Sequence, residues 1–228
     1  MRVERGFAFL DLSGFTALTS QQGDERAVAL LSGFRSITRD VCSRRGVRIA
    51  KWLGDGAMLV SVDSTALLAT LLEVEHSMKA AQMVLKVRCG ATWGEVILHE
   101  GDDYIGHPVN VASRLCDLAP GGEVYVTTEI AKHRPAWASV SEPMAVDIKG
   151  FLEPLEIVRL GFKSLAGDAI ACPVCTIPLT PDVAASSTTD AVGGMVLFCS
   201  ESCKDTWERR PLIRPDGQGS LRSPLMGF

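Results

Sequence analysis

The sequence predicts an α+β fold in which a β-α-β-β-α-β run is followed by further strands, with a small cysteine-rich module behind it. Three observations carry this. Short apolar runs alternate with longer segments whose apolar residues recur at helical spacing; Gly54-Asp55-Gly56 joins two of the short runs in the manner of a hairpin; and four of the seven cysteines crowd into the last third of the 228-residue chain. At roughly 100–200 residues per domain, that length holds one good core, or a core with a small appendage.

Residues 7–10 (Phe-Ala-Phe-Leu) form a buried strand, ended by Asp11 and the turn-prone Ser13-Gly14. From Asp24 to Arg45, Val28, Leu31, Phe34 and Val41 mark one helical face, and Gly46 stops the helix. Residues 47–53 and 57–62 are the two strands of the hairpin. Leu67, Leu68, Leu71, Val74 and Met78 then place a helix over 64–82. Strands are expected at 84–87 and 95–98, and Pro108 opens a helix that ends by Ala119-Pro120-Gly121-Gly122. Short strands follow at 123–126, 144–148 and 155–160. Such a sheet is expected to carry its helices on one face. Residues 1–160 suffice for this core. Residues 161–171 are expected to be a linker, 172–211 the cysteine-rich module with a polar loop at 181–191, and 212–228 a disordered tail.

With 46% apolar and 22% charged residues the chain is neither disordered nor a repeat array. A net charge of −4, without long runs of either sign, argues against coating nucleic acid or an anionic membrane, so neither is an expected partner. The apolar run at 7–10 is too short for a secretory signal. The longest apolar stretch elsewhere, near 65–72, is well under the ~20 residues of a membrane span. A soluble, cytoplasmic protein is expected. Cys42, Cys89 and Cys116 are isolated, whereas Cys172, Cys175, Cys199 and Cys203 have metal-ligand spacing, which in a reducing compartment favours a metal over disulfides.

Asp11 and Asp55 both stand where a strand gives way to a turn. Either alone is explained by the preference of turns for Asp. If the hairpin strands flank the first strand, both carboxylates point into one cleft and suit a hard cation such as Mg²⁺. Paired ions of this kind activate an attacking oxygen and neutralise phosphate. Asn110 and Arg114, four positions apart, share one face of their helix beside a stripe of Val111, Leu115 and Leu118. Lys51 has the strand parity of Val47, Ile49 and Leu53, so its ammonium projects from a mainly apolar face, where it needs an anion or acceptor.

Four ordered blocks resemble the class III nucleotidyl cyclase catalytic domain: Phe9-Leu10-Asp11-Leu12-Ser13-Gly14-Phe15-Thr16, Lys51-Trp52-Leu53-Gly54-Asp55-Gly56, Gly106-His107-Pro108-Val109-Asn110-Val111-Ala112-Ser113-Arg114-Leu115 and Asp147-Ile148-Lys149-Gly150. The resemblance covers about residues 5–160 and implies a ferredoxin-like core working as a head-to-tail homodimer with sites shared across the interface. It implies that Asp11 and Asp55 hold two Mg²⁺ or Mn²⁺ ions, with Leu12 and Phe15 at the substrate. From the partner, it implies that Lys51 and Asp103 read the purine, Asn110 orients the ribose, Arg114 meets charge on the α-phosphate and Lys149 holds the terminal phosphates. A donor at Lys51 and an acceptor at Asp103 suit adenine, which offers an acceptor at N1 and a donor at its 6-amino group, whereas guanine presents the opposite pattern. ATP is therefore the favoured substrate and adenylate cyclase the expected activity. A guanylate cyclase of the same fold and a catalytically silent nucleotide- or metal-sensing dimer are the alternatives. Gly94-Glu95-Val96 carries Glu where some relatives place Arg, and His76, His99, His107 and His133 form no metal or nucleophile arrangement.

Cys172-Pro-Val-Cys175 and Cys199-Ser-Glu-Ser-Cys203 are a CxxC and a CxxxC separated by 23 residues, a pattern that suits tetrahedral Zn²⁺. The first pair is expected on a knuckle turn and the second at the start of a helix through Trp207, with Phe198 and Trp207 supplying a small apolar patch. The segment resembles YHS or TRASH metal-binding modules, although Thr176-Ile177 replaces the usual Gly-Met. Structural zinc is expected, with sensing of copper or another soft metal as the alternative. With little sequence before the first strand, any regulation is expected through this module.

Overall fold

The computed structural model describes residues 1–101, 103–165 and 167–209, together with the backbone of 212–213 and 219–220. It divides into two compact units, Met1–Ser164 and the chain from Leu165 onward.

The first unit runs β1 (Arg2–Leu12), α1 (Phe15–Gln22), α2 (Asp24–Arg45), β2 (Arg48–Leu53), β3 (Gly56–Ser61), α3 (Ser64–Ala80), β4 (Val87–His99), β5 (Asp103–Ile105), α4 (His107–Leu118), β6 (Val124–Thr127), α5 (Thr128–Ala131), β7 (Ala138–Val140), β8 (Met144–Val146) and β9 (Leu155–Phe162). The strands form one sheet in the order β2-β3-β1-β4-β6-β9-β7, with β5 on β4 and β8 on β9. The Asp-Gly hairpin lies on one side of β1, with β3 paired to it and β2 beyond. It lays Gly56 opposite Asp11, while β4 lays Arg88 opposite Asp11 from the other side.

The two faces of β1 do different work. Ala8, Leu10 and Leu12 are buried on the side of α2 and α3, where a side chain at Gly6 would strike Leu67. Phe7, Phe9 and Asp11 point to the opposite side, where Phe7 clusters with Met58, Val60, Val96 and Ala112 of α4. The expectation of helices on one face is thus corrected: α4 lies on the face opposite α3. What admits it is glycine. A Cβ at Gly90 would lie 2.1 Å from the Cys116 nitrogen and 2.4 Å from the Ala112 oxygen, and one at Gly94 would meet Pro108 at 2.6 Å. Neither glycine has a positive φ. They mark close approach of a helix to a strand that runs unbroken from Val87 to His99; it takes in the strand expected at 95–98, whereas of the one expected at 84–87 only Val87 belongs to it.

Other expectations shift for equally local reasons. The buried face of α2 is Ala27, Leu30, Phe34, Thr38, Val41 and Cys42, and Val28 is 61% exposed. The buried face of α4 is Pro108, Val111, Ala112, Leu115 and Cys116; Leu118 continues the line of Asn110 and Arg114 and is exposed. Between α2 and α3, the fully buried Glu73 carboxylate accepts from Arg45 Nε at 2.5 Å and also pairs with Arg44.

The second unit holds two short hairpins, β10 (Ile170–Ala171) with β11 (Pro178–Leu179) and β12 (Ser186–Thr189) with β13 (Met195–Phe198), and helix α6 (Glu201–Glu208). Phe198 and Trp207 pack at 5.7 Å between ring centres, the patch expected from sequence. The disordered tail expected at 212–228 lies outside the described residues, apart from the backbone pairing of Leu212–Ile213 with Gly219–Ser220.

Candidate active site

The first group of side chains forms around Asp11. Arg88 donates from Nε and Nη2 to Asp11 Oδ2 at 2.9 and 2.6 Å, and from Nη1 to the Asp117 carbonyl at 3.1 Å. Asp55 sits in the turn between β2 and β3, where Gly54 takes a φ of 63° and its carbonyl accepts from Arg35 Nη2 at 2.9 Å. A Cβ at Gly56 would lie 2.6 Å from the Leu10 oxygen and 3.3 Å from Asp11 Oδ1, so only glycine lets β3 run this close to Asp11. Burial, and next the Asp11 carboxylate, push the Asp55 carboxyl above its ordinary range, against a backbone hydrogen bond and Arg88. Two carboxylates near enough to repel one another are a hard-oxygen donor set of the kind that fits Mg²⁺ or Mn²⁺.

In the second group, Lys51 Nζ donates to Asp103 Oδ1 at 2.7 Å, and the Tyr104 amide donates to the same oxygen at 3.1 Å. Lys51 holds the Asp103 carboxyl below its ordinary range. Both side chains are 47% exposed, so the pair is open to a ligand. Their neighbours Ala50 and Tyr104 pack against the Phe7 and Met58 cluster, which is what brings β2 and β5 together here. The parity argument for Lys51 is corrected. Register counted from the turn puts Lys51 opposite Met58, on the α4 side of the sheet, and the pairing shifts before it, so that a bulge puts Ile49 opposite Leu59 on the other side. Trp52 in turn faces α2, 6.2 Å from the Phe34 ring, with the guanidinium groups of Arg35 and Arg39 above its ring at 5.1 and 5.2 Å.

In the third group, Asn110, Ser113 and Arg114 share a concavity of about 330 Å³ with Lys149, Gly150 and Phe151. Val111 and Leu115 on the buried side of α4 pack with Ile148 and Phe151, and the His107 and Phe151 rings lie 4.7 Å apart, so the loop carrying Lys149 rests on the helix carrying Arg114. Arg114 Nη1 meets Asp117 Oδ2 at 3.4 Å. Leu12 is 2% exposed, which leaves only its backbone for a substrate, and Phe15 packs with Leu18, Ala27 and Leu30 at the start of α1. Sequence reasoning missed Arg35 and Arg88. The signal for Arg88 was a guanidinium inside the apolar strand Val87-Arg88-Cys89.

In the second unit the four sulfur atoms of Cys172, Cys175, Cys199 and Cys203 lie within 4.8 Å of one another, all on buried residues. The Cys172 carbonyl accepts from the Thr176 amide at 2.9 Å, and Thr176 takes a φ of 62° to close the knuckle. Ser200 caps α6 by accepting from the Cys203 amide at 3.3 Å. The neighbouring thiols hold Cys172 well below the ordinary thiol range. Burial does the reverse to Cys42 and Cys116, each pushed up to about 12, and to Cys89. The cysteine-rich region is thus able to chelate a metal ion, and the three core cysteines are packing residues.

Residues 4–150 match the adenylate and guanylate cyclase catalytic domain, and the chain belongs to that family. An uncharacterized protein of Mycobacterium tuberculosis is 32% identical over 164 residues, 72% of this chain and 43% of the relative. An adenylate cyclase of Streptomyces coelicolor is 37% identical over 132 residues, 58% of this chain and 34% of the relative. The chain therefore spans less than half the length of the curated relatives it matches. Among solved structures, the adenylyl cyclase CyaB of P. aeruginosa superposes with a TM-score of 0.64 at 23% identity, over 72% of this chain and 96% of that one. The guanylyl cyclase Cya2 gives 0.64 at 21%, over 72% and 95%. Both establish the fold. Among the described residues no helix is long and apolar enough to cross a membrane.

Proposed function

We propose that the chain is a cytoplasmic adenylate cyclase that converts ATP to 3′,5′-cyclic AMP and pyrophosphate at sites shared across a homodimer. In this reading Asp11 and Asp55 hold two Mg²⁺ or Mn²⁺ ions, which when bound lower the pKa of the ribose 3′-hydroxyl and neutralise the triphosphate. Arg35 fixes the turn that aims Asp55. Asn110 orients the ribose so that its 3′-oxygen faces the α-phosphorus as the bond to pyrophosphate breaks. Arg114 covers the charge that builds on the α-phosphate, and Lys149 covers the departing phosphates. The backbone at Leu12 and the ring of Phe15 border the nucleotide.

The observation that carries the choice of ATP is the Lys51–Asp103 contact, which sets one donor beside one acceptor in an open position. Adenine replaces both halves of that contact, whereas guanine meets each with the wrong group. Replacing Lys51 by Glu together with Asp103 by Gly is expected to lower ATP use by roughly ten- to a hundredfold, from about 1–3 kcal/mol of unpaired polar groups. Preference then moves toward GTP. Competition between ATP and GTP in the purified wild type and variant measures this, and unchanged selectivity in the variant would show that other residues read the base.

For the tail we propose one zinc ion on Cys172, Cys175, Cys199 and Cys203, in a module of YHS or TRASH type. Few apolar residues back this site, so metal binding and folding of residues 170–210 are expected to be one event. Elemental analysis of protein purified under reducing conditions should find one zinc per chain, and the Cys199→Ser variant should lose it while the first unit stays folded. Protein free of zinc, iron and copper would sink the assignment.

A further inference from the structure

A concavity of about 410 Å³ lies where the end of α3, the loop into β4 and the glycine turn before β6 meet, and none of its lining residues belongs to the machinery proposed above. Backbone bonds hold its walls in place. The Met83 amide donates to the Met78 carbonyl at 3.0 Å, and the Gly122 amide donates to the Val87 carbonyl at 2.8 Å. Gly122 has a φ of 90°, and a Cβ there would stand 3.3 Å from Lys86 Cδ, so the turn leaves this space free of side chain. Met78, Met83 and Leu85 form an apolar side, of which Met83 and Leu85 also pack on Leu18, Ala27 and Leu30. Such side chains accept an apolar body of varied shape.

Three charged side chains line the same space. Among the described residues, neither the half-buried Glu75 carboxylate nor the ammonium of Lys79 or Lys86 takes part in a hydrogen bond or a direct ion pair. Burial raises the Glu75 carboxyl above its ordinary range, and the more distant charges of Lys79, His76 and Lys86 only partly offset it. The other carboxylate of the lining, Glu123, is engaged, since it accepts from Arg159 Nη1 at 3.4 Å. Charge then selects the ligand. A plain anion such as phosphate suits the lysines but confronts Glu75, and a plain cation suits Glu75 but confronts the lysines. A molecule carrying both charges answers each group with its opposite. We propose that this concavity binds a small zwitterion with an apolar side chain, an α-amino acid of the methionine, leucine or phenylalanine kind. Glu75 accepts from its ammonium, Lys79 and Lys86 donate to its carboxylate, and its side chain lies along Met78, Met83 and Leu85. The site is independent of the cyclase reading and of the residues assigned to it.

The test is isothermal calorimetry of the full chain with L-methionine, L-leucine and L-phenylalanine. At least one of them is expected to bind saturably with a dissociation constant below about 1 mM. Two derivatives of the amino acid that binds best separate its charges: the N-acetyl form lacks the ammonium and the carboxamide lacks the carboxylate. Each is expected to bind the wild type at least about tenfold more weakly than the parent, the scale of losing one charge-assisted contact. Glu75→Gln keeps the shape of the side chain and should weaken the parent by about the same factor, as should Lys79→Met/Lys86→Met. The derivatives need no variant, so the proposal stays open to refutation even if a substitution disturbs folding. Absence of saturable binding by all three amino acids up to about 10 mM would overturn it. So would an N-acetyl form or carboxamide that binds within twofold of the parent, or a folded Glu75→Gln variant of unchanged affinity. Displacement of the bound amino acid by equimolar inorganic phosphate would show a plain anion site instead and would equally overturn the proposal.

Discussion

Asp55→Ala is expected to cut cyclic nucleotide formation by at least about a hundredfold, because one remaining carboxylate cannot hold two cations against a triphosphate, a contribution worth several kcal/mol. The fold should survive. Asp55 lies in a turn held by Gly54 and Arg35, and its carboxylate is repelled by Asp11, so its removal relieves a charge conflict. Thermal unfolding within a few degrees of wild type would establish that the loss is chemical. Activity within tenfold of wild type would refute the assignment. The same variant tests the shared site. Mixed with inactive Arg114→Ala, it should regain activity, since a mixed dimer contains one site with both halves intact. Random pairing makes about half of the dimers mixed, so recovery should approach ~25% of wild type. No recovery after confirmed subunit exchange would mean that each site is built within one chain.

The largest loss of stability is expected from Glu73→Ala. Glu73 is fully buried in α3 and meets Arg44 and Arg45 of α2, whose side chains are 16% and 2% exposed. Removing the carboxylate strands two guanidinium groups in the core. Breaking such a buried arrangement from one side costs about 3–5 kcal/mol. Denaturant unfolding of the variant should show that loss, whereas replacing all three residues by apolar ones of similar volume should recover much of it. A cost below about 1 kcal/mol would mean that water reaches the arginines and that the charges are not compensating one another.

The elements with local punctuation were legible in the sequence. Gly46 ends α2, Gly54-Asp55-Gly56 joins β2 and β3 as a hairpin, and Pro108 opens α4. The CxxC and CxxxC pairs converge in space as their spacing required. What sequence could not reveal was set by tertiary packing. Nothing in the spelling of Gly90 and Gly94 says that each makes room for α4 rather than for a turn. Glu73 sat unnoticed in an apolar helix, since its partners lie 28 and 29 residues away. Arg88 was passed over because its two ties, to Asp11 and to the end of α4, exist only once β1, β4 and α4 are assembled.

The bulge at Ala50 carries a consequence for comparing sequences. Leu53, Trp52 and Lys51 pair in unbroken register back from the Gly54-Asp55-Gly56 turn, so the turn decides which side of the sheet Lys51 occupies, and the extra residue re-aims only Ile49 and Arg48 before it. The lysine is therefore located by counting back from the turn, not forward from the end of α2. A homologue that lacks one residue before its lysine would still set that lysine opposite the Met58 position, whereas one with an extra residue between lysine and turn would swing it toward the side where Arg35 and Arg39 lie over Trp52.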